Sequence, residues 1–157
     1  MSSALLAQII AQEQAGFSAF LTLLNEEHTF LVHRQIEPLT VLFSKLEASA
    51  SELAELARQR EALTGQESNA GQFDMVAWIN SNTGSEAPHL LGLWTTLIET
   101  AEKARVKHIA IGTLIETLAK NNTNAIQILI TASKINNLYG PDGKLQGFSS
   151  TQLHGQA

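Results

Sequence analysis

Five histidines and fifteen acidic residues are the side chains of this sequence that could hold a metal or move a proton. Glu26, Glu27 and His28 stand side by side, and His33 follows five positions after His28. A zinc-binding helix presents two histidines at i and i+4, on one face. The spacing of His28 and His33 puts them on different faces. A carboxylate-bridged di-iron bundle needs a second carboxylate-histidine pair on another long helix, and the sequence offers none. Glu26, Glu27 and His28 therefore read as a solvated helix face. His108 falls on an apolar stripe, where a hydrogen-bonded core histidine is the expectation. No serine has a G-x-S-x-G context and no glycine-rich phosphate loop precedes a helix. The pattern predicts no enzyme, no cofactor and no metal.

The bulk composition narrows the partners. The chain of 157 residues is one domain's worth of material, 44% hydrophobic and 16% charged, which predicts a folded aliphatic core. A net charge of −5 without a lysine or arginine cluster disfavours nucleic acid and anionic lipid. The absence of cysteine excludes disulfides and thiol chemistry. The opening "MSSALLAQIIAQEQ" lacks a basic n-region, and Gln8 and Gln12 interrupt its apolar stretch, so it does not read as a signal peptide. No segment approaches the roughly 20 apolar residues that span a bilayer. The expectation is a cytoplasmic protein without membrane insertion.

The elements that would position any site are helices. Ser2 or Ser3 could cap the first. Leu5, Leu6, Ile9, Ile10, Phe17, Phe20, Leu23, Leu24, Phe30 and Leu31 then follow the rhythm of one buried stripe, weakened at Gln12, Glu13 and Gly16. Pro38 suits a first turn and not a helix interior, so a tight turn is expected at residues 33–37. The second helix follows, with Leu39, Leu42, Phe43, Leu46, Ala50, Leu53, Leu56 and Leu63 inward, and Lys45, Glu47, Glu52, Glu55, Arg58 and Gln59 in water. Gly65 ends it. "FDMVAWIN" predicts a two-turn helix with Phe73, Val76 and Trp78 or Ile79 against a neighbour, and Pro88 marks the next start. From Leu90 a stripe runs through Trp94, Leu97, Ala101, Ala104, His108, Ile111, Ile115 and Leu118 to Asn136. Glu99 with Lys103 and Glu116 with Lys120 have favourable i, i+4 spacing. About fifty helical residues span about 75 Å, so the three long helices must form an elongated antiparallel bundle, joined by one short helix.

Asn122 and Asn136 lie on the same stripe, Asn136 where the helix would overhang its neighbours. Trp78 and Trp94 read as core aromatics. Leu129, Ile130, Ile135, Leu138 and Tyr139 gather on the last turns of the longest helix, where they either pack on the bundle or form a groove for a partner helix. "PDG" at Pro141 to Gly143 then makes a turn. Beyond it Leu145, Phe148 and Leu153 are the large apolar residues, too few to offset the entropy of ordering some seventeen residues at about 1–2 kcal/mol each. The expected organisation is a bundle over 1–139 and a turn with a mobile tail over 140–157, with Leu145 and Phe148 joining the partner-binding set.

Several stretches resemble the FlgN family of flagellar type III export chaperones. They are "LLNEEHTFL", "LEASASELAELARQREALTG", Trp94, the Gly-x-Leu-Ile of Gly112, Leu114 and Ile115, and above all "LYGPDG" at Leu138 to Gly143. The chain departs from the family's usual pattern at His108 and Ile111, where asparagines are common, and in having no arginine after the turn. The resemblance implies a cytoplasmic chaperone that keeps hook-associated junction proteins of the FlgK and FlgL type unassembled and delivers them to the flagellar export apparatus. The alternative is a structural bundle that self-associates as a homodimer through its long third helix.

Overall fold

The computed structural model describes residues 2–66 and 73–121, and among them the chain is all α-helical. Three long helices, α1 (Ser2–Val32), α2 (Ile36–Thr64) and α4 (Ala87–Asn121), carry the fold, with a short α3 (Met75–Asn82) between the last two. A single 3-10 turn, Gly84–Glu86, leads from α3 into α4.

The boundaries have local causes. α1 begins at Ser2, so Ser2 and Ser3 lie inside its first turn instead of capping it. Its far end closes as a Schellman motif: Gln35 N–H donates to the Phe30 carbonyl at 2.8 Å and Arg34 N–H to Leu31 at 3.1 Å. Arg34 takes the left-handed position, φ 56°, where glycine is usual. Pro38 then sits in the first turn of α2, where a missing N–H costs nothing. Gly65 caps the other end of α2 at φ 73° and donates to the Glu61 carbonyl. Asp74 caps α3, its carboxylate accepting from Ala77 N–H at 3.1 Å. Pro88 falls in the first turn of α4.

α1 is the shared partner, packing along both α2 and α4. The tight turn after Val32 sends α2 back antiparallel. Gln14 meets Thr100 and Phe20 meets His108, so α4 advances in the same direction as α1 and opposite to α2. Residue 121 therefore comes level with the turn between α1 and α2.

The buried positions explain why the helices lie nearly side by side. On α1 the seam runs Leu6, Ile10, Glu13, Phe17, Phe20, Leu24, Glu27, Leu31, in alternating steps of four and three, with Ile9 buried beside it. On α2 it runs Leu39, Phe43, Leu46, Ala50, Leu53, Ala57, Arg60, Thr64, with Leu42 buried beside it, and on α4 the expected stripe holds to Leu118. A repeat of 3.5 residues falls short of the 3.6 of a straight helix, and keeping the seam closed gives left-handed coiled-coil packing.

The strict repeat corrects several expectations. Leu5 and Val76 are each 47% exposed, and Met75 takes the buried place on α3 beside Ile79, with Phe73 and Trp78 half-buried. Leu56 and Leu63 flank the seam half-buried, while Ala57, Arg60 and Thr64 fill it. The ion pair on the outer face of α4 is Glu102 with Arg105 at 2.6 Å, not Glu99 with Lys103 or Glu116 with Lys120. Asn122, Asn136, the turn at Pro141 to Gly143 and the tail to residue 157 lie outside the described residues.

Candidate functional site

The partner-binding residues expected from the sequence, Leu129, Ile130, Ile135, Leu138, Tyr139, Leu145 and Phe148, also lie outside the described residues. Within those described, the seam contains polar groups at three levels.

The first level ties α1 to α2. Arg60 Nε donates to Glu13 Oε1 at 2.7 Å, and both side chains are almost wholly buried, at 2% and 1% exposure. Arg60 Nη1 donates to Gln66 Oε1 at 3.1 Å, drawing the residue after Gly65 back onto the bundle. The guanidinium carbon lies 5.0 Å from the centre of the Trp94 ring, so one cation bridges α1, α2 and α4. The Thr64 hydroxyl donates to the Arg60 carbonyl at 3.0 Å, closing the last turn of α2. Glu13 Oε2 is buried and has no hydrogen-bond partner among the described residues. Burial pushes the Glu13 carboxyl above its ordinary range, against the pull of the Arg60 charge and hydrogen bond.

The second level is His108, 7% exposed, whose ring lies 5.0 Å from that of Phe20. The stripe implied a core histidine, and His108 is buried there, but its Nε2 atom has no hydrogen-bond partner among the described residues. The third level is Glu27, 2% exposed between Leu24 and Leu31. Burial alone raises its carboxyl to about 7. The solvated face expected of Glu26, Glu27 and His28 is thus split: Glu26 is exposed, His28 half-buried, and Glu27 faces the core.

The sequence did not single out Arg60, placed Glu27 on a solvated face, and showed Glu13 only as a weak point of the stripe. The missed signal was register: all three fall on the alternating four-three path, which a stripe traced through apolar residues alone steps around. Chemically the first level is a sealed tie, since a substrate could reach Glu13 or Arg60 only by parting the helices. Among the described residues, no group of three histidine or acidic side chains could hold a metal ion. Nor is any described helix long and apolar enough to cross a membrane. The large apolar residues exposed on α4, Ile98, Val106 and Ile109, are spread among charged neighbours. They form no stripe of their own.

No curated protein and no solved structure matches the chain. The FlgN protein family model matches residues 1–147, across the whole bundle and through the "LYGPDG" run. With a match covering nearly all of its length, the chain belongs to the FlgN family of flagellar export chaperones.

Proposed function

We propose that this chain binds hook-associated junction proteins of the FlgK and FlgL type in the cytoplasm, keeps them unassembled and delivers them to the flagellar export apparatus. The observation that carries the reading is the family match over residues 1–147. Its physical logic is simple. Proteins that polymerise through amphipathic terminal helices expose apolar stripes before assembly, and such stripes pair wrongly unless covered. A helix face with anchors at i, i+3 and i+4 covers them without nucleotide or catalysis.

The proposed binding surface is the carboxyl-terminal set of Leu129, Ile130, Ile135, Leu138, Tyr139, Leu145 and Phe148. It follows α4 in the chain, beyond the described residues, and gathers the large apolar side chains of that stretch. Burial of one leucine-sized side chain contributes about 1.5–3 kcal/mol. Titration of a junction protein against Leu129→Asp and Leu138→Asp should therefore show affinity reduced about tenfold or more, with unchanged thermal unfolding of the free chaperone. Truncation after Tyr139 should do the same. Unchanged affinity in all three would move the binding surface elsewhere. A large loss of stability in the free protein would assign these residues to the core.

A further inference from the structure

α1 carries two buried carboxyl groups, Glu13 and Glu27, two heptads apart on the same line of the same seam. Their surroundings differ. Glu13 has Arg60 at 2.7 Å, and Arg60 is held in turn by Gln66 and Trp94. Glu27 has no hydrogen bond or ion pair with any described residue. Continuing the pairing of Phe20 with His108 by one heptad brings Glu27 level with Ile115 of α4. The close approach of Gly16 to Leu53 runs α2 past it near Leu42 and Phe43. All these neighbours are buried and apolar.

Among the described residues, no charged group is paired with it. On α1, Glu26 is exposed and His28 half-buried, and His33 and Arg34 at the turn are exposed. On this stretch of α2, Glu37, Lys45 and Glu47 are exposed. On α4, Glu116 and Lys120 are exposed, Lys107 is half-buried, and buried His108 lies one heptad away against Phe20. None of them perturbs Glu27, whose shift has burial as its one cause.

We infer that the turn end of the bundle is a proton-dependent opening: Glu27 lets α1, α2 and α4 close there when protonated and loosens them when ionised, while the Glu13–Arg60 end stays shut. A neutral carboxyl fits an apolar layer at modest cost. An ionised one must find water, and it lies within two turns of the end of the helical hairpin. Separating the ends of α1 and α2 from α4 at that level supplies the water and uncovers the apolar side chains of that layer.

The direction of the pH dependence follows. The folded carboxyl titrates near 7 and the unfolded one near 4.5, so between those values the folded state holds a proton that the unfolded state has lost. Stability is then fully present below the lower value and declines as pH rises, flattening above the upper one. Urea unfolding of the full chain between about pH 5 and about pH 8 should show the folding equilibrium falling roughly a hundredfold more for wild type than for Glu27→Gln or Glu27→Leu. Both variants remove the charge, and the leucine also suits the layer, so loss of the fold does not obscure the result.

Amide exchange of wild type at about pH 8, compared with Glu27→Leu at the same pH, locates the opening. Faster exchange confined to residues 24–46 and 111–120 in the wild type supports the inference. Identical pH dependence in wild type and variants overturns it, as does a difference in exchange spread evenly to the layers around Glu13 and Arg60.

Discussion

Arg60 shows how much one buried side chain can settle. It lies in the seam of α2 at 1% exposure, yet its head is neutralised by Glu13, hydrogen-bonded by Gln66 and stacked over Trp94. Removing one partner of such a pair leaves the other charge buried and unmatched, which costs about 3–5 kcal/mol. Arg60→Ala should lower stability in urea unfolding by that amount, and Arg60→Met combined with Glu13→Leu should recover most of it, because an apolar pair of similar volume needs no compensation. A change below about 1 kcal/mol in Arg60→Ala would mean that the pair is open to water. Neither residue was legible from apolar patterning, since both are charged. They become visible once the strict four-three path is followed without regard to residue type, and even then the pairing of 13 with 60 needs the antiparallel register. Glu27 was hidden by the same cause and by its neighbours, because Glu26 and His28 made the triplet look uniformly polar.

At the level of the helices, the turn residues and the heptads were readable because each has a local cause. Pro38 and Pro88 fit first turns, Gly65 takes the left-handed cap, and the α4 stripe holds from Leu90 to Leu118. The direction of α4 was not readable, because it depends on pairs such as Gln14 with Thr100 and Phe20 with His108 that lie far apart in sequence. Gly16, first seen as a weak point of α1, is a point of close approach to α2: a Cβ there would come 2.9 Å from Leu53 Cδ2. Leu53 is fully buried, so Leu53→Ala should cost about 2–5 kcal/mol by lost transfer energy and a residual cavity. Gly16→Ala removes a residue that disfavours helix by about 1 kcal/mol but must displace Leu53. The two changes are therefore coupled. In a double-mutant cycle, Gly16→Ala should stabilise the Leu53→Ala background and be neutral or destabilising in the wild type. Equal effects in both backgrounds would contradict the close approach.

For the whole molecule, α1 runs between two partners, the end near Arg60 is fastened by a buried ion pair, and the end near the α1–α2 turn contains a buried carboxyl without an ion pair among the described residues. The proposed partner surface follows that second end in chain order, beyond Leu118 and Asn121. Its residues were named from sequence periodicity and the "LYGPDG" run. On the proposed function, the chain acts as a chaperone by capturing a junction protein, and not by pairing with itself. Mass measurement in solution over rising concentration, with the chain alone and with a hook-associated junction protein added, tests this most directly. A defined complex containing both proteins is expected, together with suppression of the junction protein's own assembly. Self-association of the chain alone, with the junction protein's mass distribution unaltered by its presence, would contradict it.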